Sequence, residues 1–296
     1  TLGNPFDLAA VKAFCDRYGL WLVEDNCDAL GSLYTIDGRE RFTGTIGDIG
    51  TSSFYPPHHM TMGEGGATYT SDPLLHKIMR SIRDWGRDCV CESGQDNRCG
   101  HRFSGQFGEL PFGYDHKYTY SHLGYNLKIT DWQAACALAQ LKKLDGFIAK
   151  RKENFTRLFM ALKPFDKYFI LPAWQAQSEP SWFGFILTVR KEVGFDKIEL
   201  CKYLESQGIG TRQVFAGNIL RQPAFTDDDI PLRIKNSVVL NSRSLSDKEY
   251  ALLPNTEEVM RGSFWVGVWP GLGAQDIDKT VFAIKQFVTE KTKREK

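Results

Sequence analysis

LWLVEDN, residues 20–26, is an apolar run that closes on two acids and an amide. Apolar side chains at successive positions, with no polar alternation, read as a strand covered on both faces, the habit of parallel sheets. The polar C-terminal end of such a strand faces the crevice where ligands sit in open α/β sheets. Upstream, Leu8, Val11, Phe14 and Cys15 mark a helical stripe across residues 5–18 that stops at Gly19. Downstream, IGDIGTSSFY (46–55) and GGATYTS (65–71) read as further strands, with a helix over 72–85. This alternation predicts an α/β fold built on a mostly parallel, doubly wound sheet.

Residues 86–125 break the pattern. They are rich in glycine, cysteine and aromatic residues and keep no period, the mark of a functional loop inside a compact domain. From Thr130, a plausible N-cap, a helical pattern runs to about Leu162 through Ala134, Leu138, Leu141, Leu144, Ile148, Phe155 and Leu158, with a break or kink expected at Gly146. After Pro164 the pattern resets to a strand (182–190), a helix (196–211), a strand and turn (263–272) and a terminal amphipathic helix. The expected organisation is a large domain over 1–150 carrying the loop 86–125, and a small α+β domain over 151–296.

With 296 residues, the chain has room for both. A net charge of +1 gives no reason to expect nucleic acid or an anionic membrane as partner. No run of about eighteen apolar residues is present, nor a basic-then-apolar leader, so the expected location is cytoplasmic. The chain opens on Thr1 and runs at once into a helix and a buried strand. Earlier strands normally precede such a unit, and the chain therefore reads as lacking its N-terminal part.

Several constellations carry possible chemistry. Asp25, at the end of the first strand, suits the protonated nitrogen of a pyridine ring, although a strand-end acid also caps turns. SSFYPPHHMTMGEGG (52–66) places a strand, a Pro-Pro turn, His58 and His59 before a glycine-rich close. Ser53 is a possible phosphate partner there; by composition alone the segment is equally a turn with surface histidines. The seven cysteines are uneven: Cys27 stands alone, whereas Cys89-Val90-Cys91 is followed seven residues later by Cys99. In a cytosolic protein such clustering points to a metal or to catalysis before disulfides. Cys15, Cys136 and Cys201 fall on helical apolar faces and read as packing residues.

The segments EDNC (24–27), SFYPPHHMTMGEGGA and GYNLKITDWQAACALAQLKKLD (124–145) resemble the sugar-aminotransferase family of fold-type-I pyridoxal-phosphate enzymes. Most of that family reads SF-x-P-x-K here, the lysine binding the coenzyme covalently. His58 occupies the lysine position in this chain. The resemblance then implies a coenzyme held non-covalently, as pyridoxamine 5′-phosphate, with His58 as general base; an imidazole, whose ordinary pKa is about 6.5, suits that task. Two branches of the family share this change. One removes the C3 hydroxyl of nucleotide-linked 4-keto-6-deoxy sugars without a metal. The other, acting on CDP-4-keto-6-deoxy-D-glucose, adds a [2Fe-2S] cluster and draws electrons from an NADH-dependent, ferredoxin-type iron–sulfur flavoprotein reductase.

The cysteines favour the second branch. Cys27, Cys89, Cys91 and Cys99 match its Asp-x-Cys and Cys-x-Cys-x7-Cys pattern, with a slightly longer first gap that a loop extension at 34–44 would absorb. A four-cysteine zinc site and unrelated packing cysteines remain the other readings. The resemblance further implies that Asn126 reaches the coenzyme phosphate of a neighbouring subunit in a homodimer, and that Arg212 and Arg221 meet the nucleotide-sugar. For both arginines a solvated surface role stands equally open. The implied activity is 3-dehydration of a nucleotide-linked 4-keto-6-deoxyhexose in dideoxysugar and O-antigen biosynthesis. The alternatives are the metal-free branch and a non-catalytic sensor or electron-transfer subunit with a degenerate coenzyme pocket.

Overall fold

The computed structural model describes residues 1–92, 94–228, 230–234, 238–241 and 245–293. In chain order the elements are α1 (Leu8–Tyr18), β1 (Val23–Asp25), β2 (Leu33–Ile36), β3 (Arg39–Phe42), β4 (Ile49–Ser53), β5 (Gly66–Tyr69), α2 (Pro73–Arg83), α3 (Asp131–Leu141) and α4 (Leu144–Leu162). There follow β6 (Phe169–Ile170), β7 (Ser178–Glu179), β8 (Gly184–Val189), α5 (Lys197–Ser206), β9 (Thr211–Gln213), α6 (Pro223–Thr226), β10 (Pro231–Ile234) and β11 (Val238–Asn241). The last are α7 (Asp247–Tyr250), α8 (Pro254–Gly262), β12 (Ser263–Gly267) and α9 (Ala274–Lys293). No helix among the described residues is long and apolar enough to cross a membrane.

Two compact units divide the chain. One comprises Thr1, Gly3–Gly146 and Gln175–Ser181; the other comprises Leu2, Phe147–Trp174 and Trp182–Lys296. In the first unit β1 pairs in parallel with β4, Val23 opposite Ile49 and Asp25 opposite Thr51, and β4 pairs antiparallel with β5. The second pairing is antiparallel: the chain returns through the turn 54–65, which carries no crossover helix of the kind a parallel neighbour usually needs. Within β1, Glu24 points inward and is buried, and Asp25 points out, as the two-residue period of a strand requires. The segment 34–44, expected as a loop extension, is a hairpin: β2 and β3 pair antiparallel, and β7 adds to the other edge of β2.

The second unit carries the antiparallel sheet β6-β8-β12-β9, covered by α4, α5 and α9. Phe155, Leu158 and Leu162 of α4, Leu200 and Leu204 of α5, and Ile277, Ile284 and Phe287 of α9 pack on Phe185, Leu187, Phe264 and Val266 of the strands. The Phe155 and Trp182 rings stack with centroids 3.6 Å apart.

Two expectations need correction. The long helix breaks at Lys142–Lys143 rather than at Gly146: Lys143 N–H bonds to Gln140 three residues back, so the α-helical ladder is interrupted there, and Gly146 lies within α4. The apolar positions Leu138 and Leu141 on α3 are exposed, as is Cys136, which is therefore not a packing residue of the described core; Cys15 and Cys201 are buried. A helical period shows that a face is apolar but does not show what covers it.

Truncating Leu200, fully buried, to alanine should destabilise the second unit by about 2–5 kcal/mol. Ile198→Ala on the exposed side of the same helix should cost under about 1 kcal/mol. Urea denaturation of the two variants checks the difference.

Candidate functional site

Glu24 fixes the end of β1. Its carboxylate accepts hydrogen bonds from the backbone N–H groups of Gly44 and Ile46, both at 2.7 Å, and from that of Gly47. Beside it, Asn26 accepts from the Thr43 hydroxyl at 2.6 Å. Asp25 is left exposed at the strand end, where its Oδ1 accepts from Cys27 N–H at 3.1 Å and from the Thr51 hydroxyl at 3.3 Å. A carboxylate offers about four lone-pair sites, so capacity remains for a cationic ring N–H. Ser53, at the end of the adjacent β4, accepts from Tyr55 N–H at 3.3 Å, which leaves its own O–H to donate to an anion. This donor and acceptor set fits a phosphorylated pyridine coenzyme.

The turn after β4 presents His58. Phe54 N–H to Gly65 O and Met62 N–H to Phe54 O, each 2.9 Å, close the turn, and Gly65 has φ of +149°. The Nε2 of His58 lies 3.4 Å from Oδ1 of Asp28, a buried carboxylate. Asp28 had no role in the sequence reading; its signal was the acid immediately after Cys27. Cys27, Asp28 and His58 offer ligand-type atoms that all lie within 4.8 Å of one another, the only group of three or more that does so among the described residues. The Cys27 thiol is pushed up to about 11 by burial, then by its hydrogen bond to Asp25 and by the nearby carboxylates.

Cys89, Cys91 and Cys99 lie together elsewhere in the first unit, around a small cavity also lined by Asp96, Arg102, His116 and Lys117. The loop that carries them is tied at its base. Trp85 N–H bonds to Tyr125 O, and Ser121 and His122 N–H bond to Gly86 O. A side chain on Gly86 would meet His122 O at 1.8 Å, so only glycine allows the approach. Inside the loop, Arg102 grips Asp115 through Nε and Nη2 at 3.0 and 2.8 Å. His116 holds Asp88 through Nε2 at 2.6 Å and faces the Cys99 sulfur through Nδ1 at 3.5 Å.

These neighbours move the groups in consistent directions. The hydrogen bond to His116 lowers Asp88. Burial opposes charging of His116, but its bonds to Asp88 and Cys99 outweigh burial and raise it. Cys99 is lowered by the His101 backbone N–H and then by His116, whereas burial raises Cys89. Three thiols beside an imidazole suit a soft, thiolate-binding metal or an iron–sulfur cluster. The structure therefore places three of the four expected ligands around one cavity, although their sulfurs do not all lie within 4.8 Å of one another, and groups the fourth, Cys27, with Asp28 and His58. Asp88, His116 and the Arg102–Asp115 pair were not singled out by sequence, because their pairing crosses a loop with no period.

Asn126 bridges to Asp84 across the loop base, and its Oδ1 accepts from Lys128 Nζ at 3.0 Å. In the second unit, Arg212 is exposed on β9. Arg221 is engaged by Glu257 at 2.8 and 3.1 Å and lies over the Tyr250 ring at 4.0 Å, so an anion there would compete with a carboxylate already in place.

A family model described as the DegT/DnrJ/EryC1/StrS aminotransferase family matches residues 1–285. The chain is 49% identical over 287 residues to the lipopolysaccharide biosynthesis protein RfbH of Salmonella typhimurium, covering 97% of this chain and 61% of that protein. It is 47% identical over 290 residues to a dTDP-4-dehydro-2,6-dideoxy-D-glucose 3-dehydratase of Saccharopolyspora spinosa, covering 98% of this chain and 58% of that protein. The chain thus spans about three-fifths of the length of these relatives. Among solved structures, the E. coli GDP-4-keto-6-deoxy-D-mannose-3-dehydratase with bound hydrated PLP matches with a TM-score of 0.71 at 24% identity, over 96% of this chain and 65% of that one. An aminotransferase from Psychrobacter cryohalolentis matches with a TM-score of 0.75 at 24% identity, over 98% and 67%.

The Arg221–Glu257 pair gives a pH prediction. Hydrogen bonds from Arg221 and then Asn218 lower Glu257 from 4.5 to about 2. A depressed folded value means that the carboxylate stabilises the fold above its unfolded value and loses that contribution as pH falls through 4.5 toward 2. Glu257→Gln should therefore be less stable than the parent at neutral pH, with the gap narrowing through that acid window; denaturant unfolding at a series of pH values measures it.

Proposed function

The chain belongs to the DegT/DnrJ/EryC1/StrS aminotransferase family, and from that premise we propose that it carries out C3 dehydration of a nucleotide-linked 4-keto-6-deoxyhexose, CDP-4-keto-6-deoxy-D-glucose foremost, using pyridoxamine 5′-phosphate and a [2Fe-2S] cluster. The observation that carries the reading is His58, placed on the turn after β4 with its ring against the buried Asp28. A turn that elsewhere in the family presents a lysine amine here presents an oriented imidazole. The names of the relatives agree with it: one is a sugar 3-dehydratase and another a lipopolysaccharide biosynthesis protein.

The residues divide the work as follows. Asp25 holds the protonated ring nitrogen of the coenzyme, and Ser53 and Asn126 bind its phosphate, Asn126 from the second subunit of a homodimer. Asp28 accepts from His58 Nε2–H, which fixes the tautomer and makes Nδ1 the basic nitrogen. His58 then takes up the proton whose removal allows the C3 hydroxyl to leave. Of the two arginines, Arg212 is exposed and available for the nucleotide phosphates, with Arg221 available only if Glu257 yields it. Bound, the coenzyme supplies an amine and an electron sink, and the cluster, on Cys27, Cys89, Cys91 and Cys99, supplies single electrons from a ferredoxin-type reductase.

The grouping of Cys27 with Asp28 and His58, rather than with the other three cysteines, favours a second reading: the metal-free 3-deoxygenating reaction. One experiment separates the two. The full-length protein is reconstituted anaerobically and incubated with pyridoxamine phosphate and the CDP-, GDP- or dTDP-linked 4-keto-6-deoxyglucose, with and without a ferredoxin-type reductase. His58→Asn should lower turnover about 10²–10⁴-fold with iron content unchanged. Cys89→Ser should abolish the iron–sulfur absorbance and the reductase-dependent product. A parent protein without that absorbance, and a Cys89→Ser variant with full turnover, would leave the metal-free reaction standing.

A further inference from the structure

A cleft of 570 Å³ opens between α2 and the start of the cysteine loop, and Cys89 and Cys91 form part of its wall. Its other lining residues are unusual in charge. Lys77, Arg80, Arg83, Arg87, Lys117 and Lys128 face it, against the carboxylates of Asp84, Asp88 and Glu92. Lys117 is paired with Asp96 outside the cleft, and Lys128 bonds to Asn126, the residue assigned above to the subunit seam; with both set aside, Lys77, Arg80, Arg83 and Arg87 still outnumber the three acids. The chain as a whole carries a net charge of only +1, so this excess is local.

The excess originates in α2, PLLHKIMRSIR, which has three cations and no acid within the helix. Lys77 lies 3.7 Å from Asp88, Arg80 lies 2.7 Å from Glu92, and Lys128 lies 2.7 Å from Asp84. Arg83 is exposed and has no carboxylate partner among the described residues. A second cleft, of 310 Å³, shares Arg80 and Arg83, so these cations reach past the rim of the first.

We propose that this basic cleft is the docking surface for an electron-transfer protein with an acidic face, which delivers electrons to the group held by Cys89 and Cys91. The inference rests on the iron–sulfur reading of the preceding subsection and adds to it the place and the charge of the partner. Interspersed carboxylates make a poor pocket for a single phosphate, which would sit beside Asp84, Asp88 or Glu92. The same arrangement gives a broad positive field, which steers a large acidic partner and sets its encounter rate. Cys89 and Cys91 line both this cleft and the small cavity they share with Cys99, so a carrier seated in the cleft lies against the segment that holds the redox group.

The test is stopped-flow reduction of the anaerobically reconstituted full-length protein by a reduced plant-type ferredoxin, an acidic one-electron carrier, at several ionic strengths. Photoreduced deazaflavin serves as the small uncharged control. Lys77→Glu with Arg83→Glu should slow reduction by ferredoxin about 10-fold or more at low salt, with the parent and variant rates converging as salt rises. Iron content and the deazaflavin rate should not change. If the parent binds no cluster, both the iron–sulfur reading and the docking proposal fall. If the cluster forms, deazaflavin reduces parent and variant alike, and the ferredoxin rate is insensitive to both salt and charge reversal, the docking proposal alone is overturned. Stoichiometric binding of inorganic pyrophosphate in the cleft, without inhibition of ferredoxin, would likewise overturn it in favour of a small-anion site.

Discussion

Burying a carboxylate is costly unless hydrogen-bond donors spread its charge, and Glu24 meets that condition with backbone N–H groups of one turn, 44–47. The turn in turn has those donors aimed inward because Glu24 receives them. This mutual arrangement locks the hairpin-bearing segment against the end of β1. It also decides which of two adjacent acids is structural. With Glu24 held inside, strand geometry sends Asp25 to the opposite face, at the carboxyl end of the parallel pair β1–β4. Cys27 and Asp28 follow within one turn of chain, so their positions depend on the same anchor.

The two units achieve order by different means. The second buries a continuous apolar core in which helices α4, α5 and α9 lie on a four-stranded sheet. The apolar cluster of the first unit is small, Leu8, Tyr34 and Ile46 with Ile36 against them. Buried polar pairs add to it: Glu24 with the 44–47 turn, Asn26 with Thr43, and Ser32 with Gly3 and Ser181. Directional bonds of this kind place side chains narrowly but contribute only about 0.5–1.5 kcal/mol net each. The functional residues of the first unit are therefore set largely by polar bonds, with local apolar burial at Leu22 before β1 and at Met60 and Met62 on the His58 turn.

The readable parts of the sequence were those governed by local periodicity. LWLVEDN disclosed β1 and its polar end but not its surroundings: Leu20, Trp21 and Val23 are exposed, so the strand is not covered on both faces among the described residues as its apolar run predicted. Thr130 disclosed the cap of α3, and the 182–190 run disclosed β8. What was not legible depended on partners distant in sequence. The 33–42 hairpin looked like a loop because its side chains are mostly exposed and give no alternation. Asp28 was hidden by a similar cause: its meaning comes from His58, thirty residues on. Arg221 reads in sequence as an anion partner or a solvated surface residue, and neither reading contains Glu257, which holds it 36 residues on. Spacing along the chain shows which residue types occur together; it does not show which of them are already satisfied by one another.

The cysteine loop shows how three thiols can be held without regular secondary structure. Between the tie at Gly86 and the return at Tyr125, order passes through side chains: Arg102 to Asp115, and Asp88 to His116 to Cys99. Phe107 stacks on the His116 ring at 4.6 Å, so the imidazole is fixed by contact on its face and by hydrogen bonds at its edge. A ring constrained in this way cannot swing from the sulfur without losing its bond to Asp88. The loop therefore behaves as a clamp centred on His116, with Cys99 in direct contact and Cys89 following Asp88 by one residue. The placement of the three thiols is obtained here from polar contacts rather than from a core.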